Sequence, residues 1–177
     1  MLADATPPDT RGRLFAFWLR RLCGAVVGVL LLCLPDMALA QQNVLPIPAL
    51  TARVIDQTGT LTEADRIALE TTLESYEQSK GSQIVVLMVP TTHPEDIAAY
   101  AYRVASTWKI GRRDVGDGVL LIVAKDDRRM RIEVAKRLEG VLPDLAAARI
   151  MDQTMRPQFR SGNYAGGIAA ALDQIMK

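Results

Sequence analysis

Two runs of apolar residues restrict the fold of this chain more than any other feature. Residues 84–89 and 119–124 each consist of six consecutive apolar residues, rich in Val, Ile and Leu. Such runs are typical of strands covered on both faces, as in a parallel sheet between layers of helices. Between them lie four apolar residues at the spacing of one helix face, Ile97, Ala101, Val104 and Trp108. The order strand, helix, strand predicts an α/β domain.

Flanking patterns predict the other elements of the first half of the domain. Residues 52–56 form either a short strand ending at Asp56 or an ordered coil against the core. Thr62 and Asp65 have the spacing of a capping pair, which opens a helix that Gly81 ends. Pro94 is expected in the first turn of the next helix, which Gly111 is expected to end.

The second half of the domain begins with a predicted hairpin. After a turn at 125–128, apolar residues alternate with charged ones along 129–134, as in a strand with one wet face. Two helices follow, with apolar stripes at Ala148, Met151, Met155 and Phe159 and then at Tyr164, Ile168, Leu172 and Ile175. The whole pattern predicts a compact α/β domain over 52–177, with a mixed, mainly parallel sheet, an antiparallel hairpin and helices on its faces.

The first 40 residues have the order of a secretory leader. Arginines precede an apolar run at 23–34, and Ala38-Leu39-Ala40 provides a small-x-small end. We expect cleavage after Ala40, export to the periplasm and an extended linker at 41–51. The alternative is an uncleaved leader that anchors the protein in the inner membrane through residues 14–34. Membrane contact is expected only if this segment is retained.

Charge and residue inventory exclude several classes of function. Four of the 21 basic and three of the 20 acidic residues lie in the leader, so the remainder is balanced and lacks the basic surplus of a nucleic-acid binder. Both cysteines, Cys23 and Cys33, also lie in the leader, and His93 is the single histidine. Zinc sites and cysteine nucleophiles are therefore excluded from the mature chain. No phosphate-binding glycine motif occurs, so no nucleotide cofactor is expected.

Carboxylates at strand ends are the remaining candidates for chemistry. Oxygen ligands of this kind suit calcium or magnesium. Asp126 and Asp127 follow the strand at 119–124, and Asp56 joins them if its own strand runs parallel to it. Asp117 precedes that strand and so lies near the opposite end of the sheet, and Glu139 follows the next strand. The alternative is local: Asp-Asp is ordinary turn chemistry, and Asp56 caps the following Thr-Gly turn.

Several sequence blocks resemble the TPM-domain family. They are Val-Ile-Asp at 54–56, Gly-Thr-Leu-Thr at 59–62, Gln-Ile-Val-Val at 83–86, Trp-Lys-Ile-Gly-Arg at 108–112, the block from Asp117 to Arg128, Arg-Ile-Glu-Val at 131–134 and Leu-Glu-Gly at 138–140. The resemblance implies an α/β sandwich with calcium bound at its acidic loops. Its metal ligands would be Asp56, Asp126, Asp127 and Asp117.

Three departures from the family pattern accompany the resemblance. Ala135-Lys136-Arg137 stands where relatives usually have Gly-Tyr-Gly, and Gly116 stands where an acidic residue is frequent. Many bacterial relatives continue into a transmembrane helix, whereas this sequence ends at Lys177, so no C-terminal anchor is expected.

The resemblance leads to two functional hypotheses. Relatives include exported bacterial proteins, a plant thylakoid-lumen protein linked to photosystem repair and acid phosphatase activity, and an animal receptor accessory subunit. The first hypothesis is a periplasmic accessory or maintenance factor for a membrane or envelope protein complex. The alternative is a metal-dependent acid phosphatase acting on phosphomonoesters, in which Asp126 or Asp127 holds the cation.

Overall fold

A four-stranded mixed sheet forms the centre of the fold. The computed structural model describes residues 44–112 and 116–177, so the predicted leader and the first residues of the predicted linker lie outside it. The strands are β1 (Val54–Asp56), β2 (Gln83–Val89), β3 (Gly118–Ala124) and β4 (Arg129–Val134). They lie in the order β1-β2-β3-β4, with β1, β2 and β3 parallel and β4 antiparallel to β3. The predicted mixed, mainly parallel sheet with an antiparallel hairpin is confirmed.

Helices cover both faces of this sheet, which explains the two apolar runs. The α-helices are α1 (Glu63–Lys80), α2 (Ile97–Trp108), α3 (Asp144–Arg149), α4 (Arg156–Arg160) and α5 (Tyr164–Ile175), with a π-helical segment at Ile150–Met155 and a 3-10 turn at Lys136–Leu138. Alternate residues of β2 and β3 pack against α1, α5 and the π segment on one face, and against α2 on the other. The predicted α/β sandwich is confirmed.

Helix α1 begins and ends as its sequence predicts. The Thr62 hydroxyl oxygen accepts a hydrogen bond from the Asp65 N–H at 3.1 Å, which satisfies one of the free donors of the first turn. Gly81 ends the helix in a left-handed conformation with φ 81°, which costs glycine little. Leu69 and Leu73 of this helix are buried against the sheet.

Helix α2 begins later than predicted, and the assignment of Pro94 to its first turn is wrong. The helix starts at Ile97, with Asp96 as the capping residue whose carboxylate accepts from the Ala98 N–H at 2.9 Å. Pro94 lies in the preceding loop. Gly111 does not end the helix either, because Lys109 already adopts the left-handed conformation that stops it.

The first C-terminal helix differs from its predicted stripe because a π-helical segment interrupts it. Ala147, Ile150 and Met155 are buried, whereas Ala148 and Met151 are only partly so. Hydrogen bonds from i to i−5 accommodate about one extra residue per turn, so the buried positions step from 150 to 155. Pro157 lies two residues after the segment and has no N–H to donate to the preceding turn.

Residues 44–50, which belong to the predicted linker, form neither helix nor strand but lie against α2. The Arg103 guanidinium donates to the Leu45 carbonyl at 2.8 Å, and the Trp108 indole N–H donates to the Pro48 carbonyl at 2.8 Å. Leu45 and Ile47 pack on the same apolar cluster as α2. No helix within 44–112 and 116–177 has the length and hydropathy of a membrane span.

Candidate functional site

The parallel pairing of three strands brings three of the predicted carboxylates to one end of the sheet. Asp56 is the last residue of β1, and its register places it beside Met88 near the end of β2. Asp126 and Asp127 follow β3, which runs parallel to β2. Ligands of α/β sheets usually bind at this carboxyl end. Asp117 precedes β3, and Glu139 follows the antiparallel β4, so these two acids lie at the opposite end.

The carboxylate of Asp56 organises the loop that follows β1. Its Oδ1 accepts hydrogen bonds from the Thr58 N–H at 2.7 Å and the Thr58 hydroxyl at 2.6 Å. Its Oδ2 accepts from the Thr60 and Leu61 N–H groups, both at 2.8 Å. Burial opposes ionisation, but these hydrogen bonds outweigh it and hold the pKa of Asp56 below its usual range.

Asp127 plays a similar part for the loop after β2. Its oxygens accept from the Thr91 hydroxyl at 2.8 Å and the Thr92 N–H at 2.8 Å. His93, three-quarters exposed, places Nε2 3.7 Å from Asp127 Oδ1. Burial opposes ionisation of Asp127, yet the bonds from Thr92 and Thr91 and the proximity of His93 together lower its pKa. Asp127 therefore holds the turn of the β3–β4 hairpin against the loop that leads to α2.

The carboxylates at this end of the sheet do not form a three-carboxylate metal site in this conformation. A carboxylate oxygen has about two acceptor positions, so four hydrogen bonds leave Asp56 none for a cation. Asp126 is exposed, and its side chain makes no hydrogen bond to another described residue. Over residues 44–112 and 116–177, no three His, Cys, Asp or Glu side chains form a cluster that could hold a metal ion. Calcium or magnesium binding by these aspartates stays a prediction.

Asp117, at the opposite end, forms an ion pair that closes the start of β3. The residue is 2% exposed, and its carboxylate accepts from the Arg112 N–H at 2.9 Å and from Arg112 Nε at 2.8 Å. Burial opposes ionisation, but Arg112 outweighs it and holds the pKa of Asp117 below its usual range. Asp117 precedes β3, whereas Asp126 and Asp127 follow it. The length of the strand, about 20 Å, separates them.

The depressed carboxyl pKa values of Asp56, Asp117 and Asp127 predict that the fold loses stability in acid. A group with a lower pKa in the folded state stabilises the protein above its unfolded pKa, near 4, and this contribution disappears as the pH falls through the folded pKa. We expect the free energy of unfolding in urea to fall as the pH drops from about 5 towards 2. The Asp117→Asn variant should show a shallower decline, and an equal decline would contradict the role assigned to that carboxylate.

A basic cleft of about 840 Å³ opens beside Asp126 and was not predicted from the sequence. Its cationic lining comes from the β3–β4 turn, the start of β4 and α4, namely Lys125, Arg128, Arg129, Arg156 and Arg160. Phe159 and Tyr164 add aromatic surface, with ring centroids 4.8 Å apart. Sequence reasoning treated 156–164 only as helical stripes, although the spacing of Arg156 and Arg160 by four residues already places them on one helix face.

Comparison with known proteins identifies the family. A family model described as the TPM domain matches residues 54–177. The solution NMR structure of the N-terminal domain of a P. gingivalis protein is 31% identical with a TM-score of 0.66, over 71% of this chain and 80% of that chain.

Two further solved structures share the fold at lower identity. The N-terminal domain of a Corynebacterium glutamicum protein is 14% identical, with a TM-score of 0.57 over 75% of this chain and 84% of that one. A protein of the psychrophilic bacterium Bizionia argentinensis is 22% identical, with a TM-score of 0.57 over 66% of this chain and 79% of that one. No curated protein matches the chain significantly. The family match and the P. gingivalis structure together show that this chain belongs to the TPM-domain family.

Proposed function

We propose that the chain is an exported protein that acts in the periplasm as an accessory or maintenance factor for a membrane or envelope complex. One observation supports a non-enzymatic role most directly. Asp56 and Asp127, two of the three carboxylates at the carboxyl end of the sheet, use their oxygens to fix loops. Fixed loops at a sheet end form a preorganised surface, which lowers the entropic cost of binding a partner.

The alternative is hydrolysis of phosphomonoesters, and the basic cleft favours it. Phosphoryl transfer needs positive groups around the transferred phosphoryl. The cleft supplies cationic side chains from two elements, with the Asp126 carboxylate beside them. We rank this reading second because the other two carboxylates at this end are engaged in loop contacts.

A phosphatase assay on the purified protein separates the two readings. We expect no turnover of an aryl phosphate above background at acid or neutral pH, with calcium, magnesium or EDTA present. Turnover that is lost in Asp126→Asn with Asp127→Asn would establish the alternative. Turnover that survives both substitutions would indicate a contaminating phosphatase.

The accessory role is tested in the cell envelope. Crosslinking followed by affinity capture should recover a membrane or envelope protein. The capture should be lost in Asp127→Ala, which alters the loops at the carboxyl end of the sheet. Fractionation and N-terminal sequencing of the mature protein decide the location. Sequence starting at Gln41 in the periplasmic fraction supports cleavage, whereas an intact leader in the membrane fraction supports an anchor at 14–34.

The predicted binding of calcium or magnesium at this end of the sheet would require the loops held by Asp56 and Asp127 to rearrange. A cation that binds only the folded state raises the melting temperature. A rise at millimolar calcium that disappears in Asp126→Asn would support binding at that carboxylate. An unchanged melting temperature would contradict the predicted cation site.

A further inference from the structure

Three cationic side chains of the cleft beside Asp126 have no acidic partner among the residues that the structure describes. Arg129 pairs with Asp96 at 2.9 Å and Arg156 with Asp152 at 2.7 Å. Lys125, Arg128 and Arg160 form no ion pair with any described residue. Like charges that converge on one cleft repel each other, and an anion bound between them would remove that repulsion. The charge pattern therefore points to an anionic ligand.

The backbone at Arg128 makes this residue the most suitable position for a test. Arg128 has a positive φ of 54°, in the left-handed region that favours glycine, asparagine and aspartate. An arginine at this position of the β3–β4 turn is less favourable for the backbone than glycine would be. Lys109 has nearly the same φ, 52°, where it ends α2, so this conformation alone marks no site. It does make Arg128 a cation of the cleft that glycine can replace without backbone strain.

The apolar part of the cleft restricts the ligand further. Phe159, Tyr164 and Met130 line it together with the cations, and Lys125 Nζ lies 5.9 Å from the centre of the Tyr164 ring. A volume of about 840 Å³ is in the range of pockets for drug-sized organic ligands and far exceeds that of a phosphate ion. Guanidinium groups match the oxygens of phosphate in a bidentate geometry.

We propose that this cleft binds an amphiphilic phosphate ester. Lys125, Arg128 and Arg160 hold the phosphoryl oxygens, and the apolar body of the ligand packs against Phe159 and Met130. A phospholipid headgroup and a soluble aryl or alkyl phosphate share this chemistry. The site does not require turnover, so it is compatible with the accessory role and would also hold the substrate of a phosphatase.

Asp126 provides a test of how the phosphate is held. Its carboxylate lines the same cleft, where it repels an anion that the cations bind directly. Direct binding predicts that Asp126→Asn strengthens the affinity and that EDTA has no effect. Binding through a metal ion on Asp126 predicts the opposite, namely loss of affinity in both cases, and would overturn the assignment.

Arg128→Gly is the decisive variant because it removes the guanidinium while suiting the turn. The matched control is Lys109→Gly, which replaces the other non-glycine residue of positive φ, φ 52°, at the end of α2. We expect calorimetry with 1-naphthyl phosphate to show at least about tenfold weaker binding to Arg128→Gly, the size of a lost charged hydrogen bond. Arg160→Ala should weaken binding similarly, and Lys109→Gly should bind as the wild type does.

Flotation with vesicles distinguishes the two sources of the ligand. Protein that floats with phosphatidylglycerol but not with phosphatidylcholine, and loses this in Arg128→Gly, identifies a lipid headgroup. Binding of 1-naphthyl phosphate without flotation identifies a soluble ester. The proposal would be overturned if the protein neither binds 1-naphthyl phosphate nor floats with vesicles, or if Arg128→Gly binds as tightly as the wild type. It would also be overturned if inorganic phosphate binds as tightly as the naphthyl ester. Capture of an envelope partner tests the accessory role separately, so either proposal can fail alone.

Discussion

The Asp56→Ala variant is expected to lose about 3 kcal/mol of unfolding free energy in the absence of any divalent cation, because three backbone N–H groups and a threonine hydroxyl lose their charged acceptor. Urea denaturation in EDTA measures this loss. The matched control is Asp126→Ala, which removes an exposed carboxylate from the same end of the sheet and should change the free energy by less than about 0.5 kcal/mol.

The same pair of variants separates a structural carboxylate from a metal ligand. If Asp56 bound calcium or magnesium instead, its replacement would cost stability only when the cation is present, and the two variants would behave alike in EDTA. Asp56→Asn refines the comparison because the amide keeps one acceptor oxygen. Its stability should fall between those of the wild type and Asp56→Ala.

Gly118→Ala is the second substitution with a large expected effect. A Cβ at this position would lie 2.2 Å from the Ile110 carbonyl oxygen and 2.5 Å from its carbon. These neighbours are backbone atoms, so relief requires the chain after α2 to move away from the start of β3. We expect a loss of about 3 kcal/mol, which corresponds to a fall in melting temperature on the order of 10 °C.

Gly140→Ala is the control for Gly118→Ala. A Cβ at Gly140 meets no atom within 4 Å, and its φ is not positive. Alanine at such a site leaves the melting temperature unchanged or raises it slightly, because it restricts the unfolded chain. Equal melting temperatures for Gly118→Ala and the wild type would show that the chain at Ile110 yields to a methyl group at no cost.

The elements that sequence reasoning predicted correctly are those whose signals are local and agree with each other. The apolar runs at 84–89 and 119–124 required cover on both faces, and Thr62 and Gly81 marked the ends of α1 through capping chemistry. Pro94 misled because a proline suits a loop as well as a first helical turn, and Asp96 provides the actual cap. The apolar spacing of this region also fits a regular helix, so it contains no signal for the π segment that buries Ile150 and Met155.

The candidate site was predictable only in part, for a physical reason. The parallel order of strands was sufficient to bring Asp56, Asp126 and Asp127 to one end of the sheet. Sequence could not show which acceptor positions the loops would occupy, because the hydrogen bonds of Asp127 come from residues 35 and 36 positions away. The cleft likewise depends on residues from α4 meeting the β3–β4 turn, a contact between distant parts of the chain.

The π-helical segment also affects the direction in which the residues after it point. An α-helix advances about 100° per residue, so one additional residue in a turn rotates everything downstream by that angle. Ala147, before the segment, and Ile150, its first residue, are buried in the core, and downstream of the segment Arg156 and Arg160 line the cleft. Deleting one residue from Ile150–Met155 to restore regular helix would turn both arginines by about a quarter of a circle. A binding surface on this helix could thus be gained or lost through a single-residue change in length.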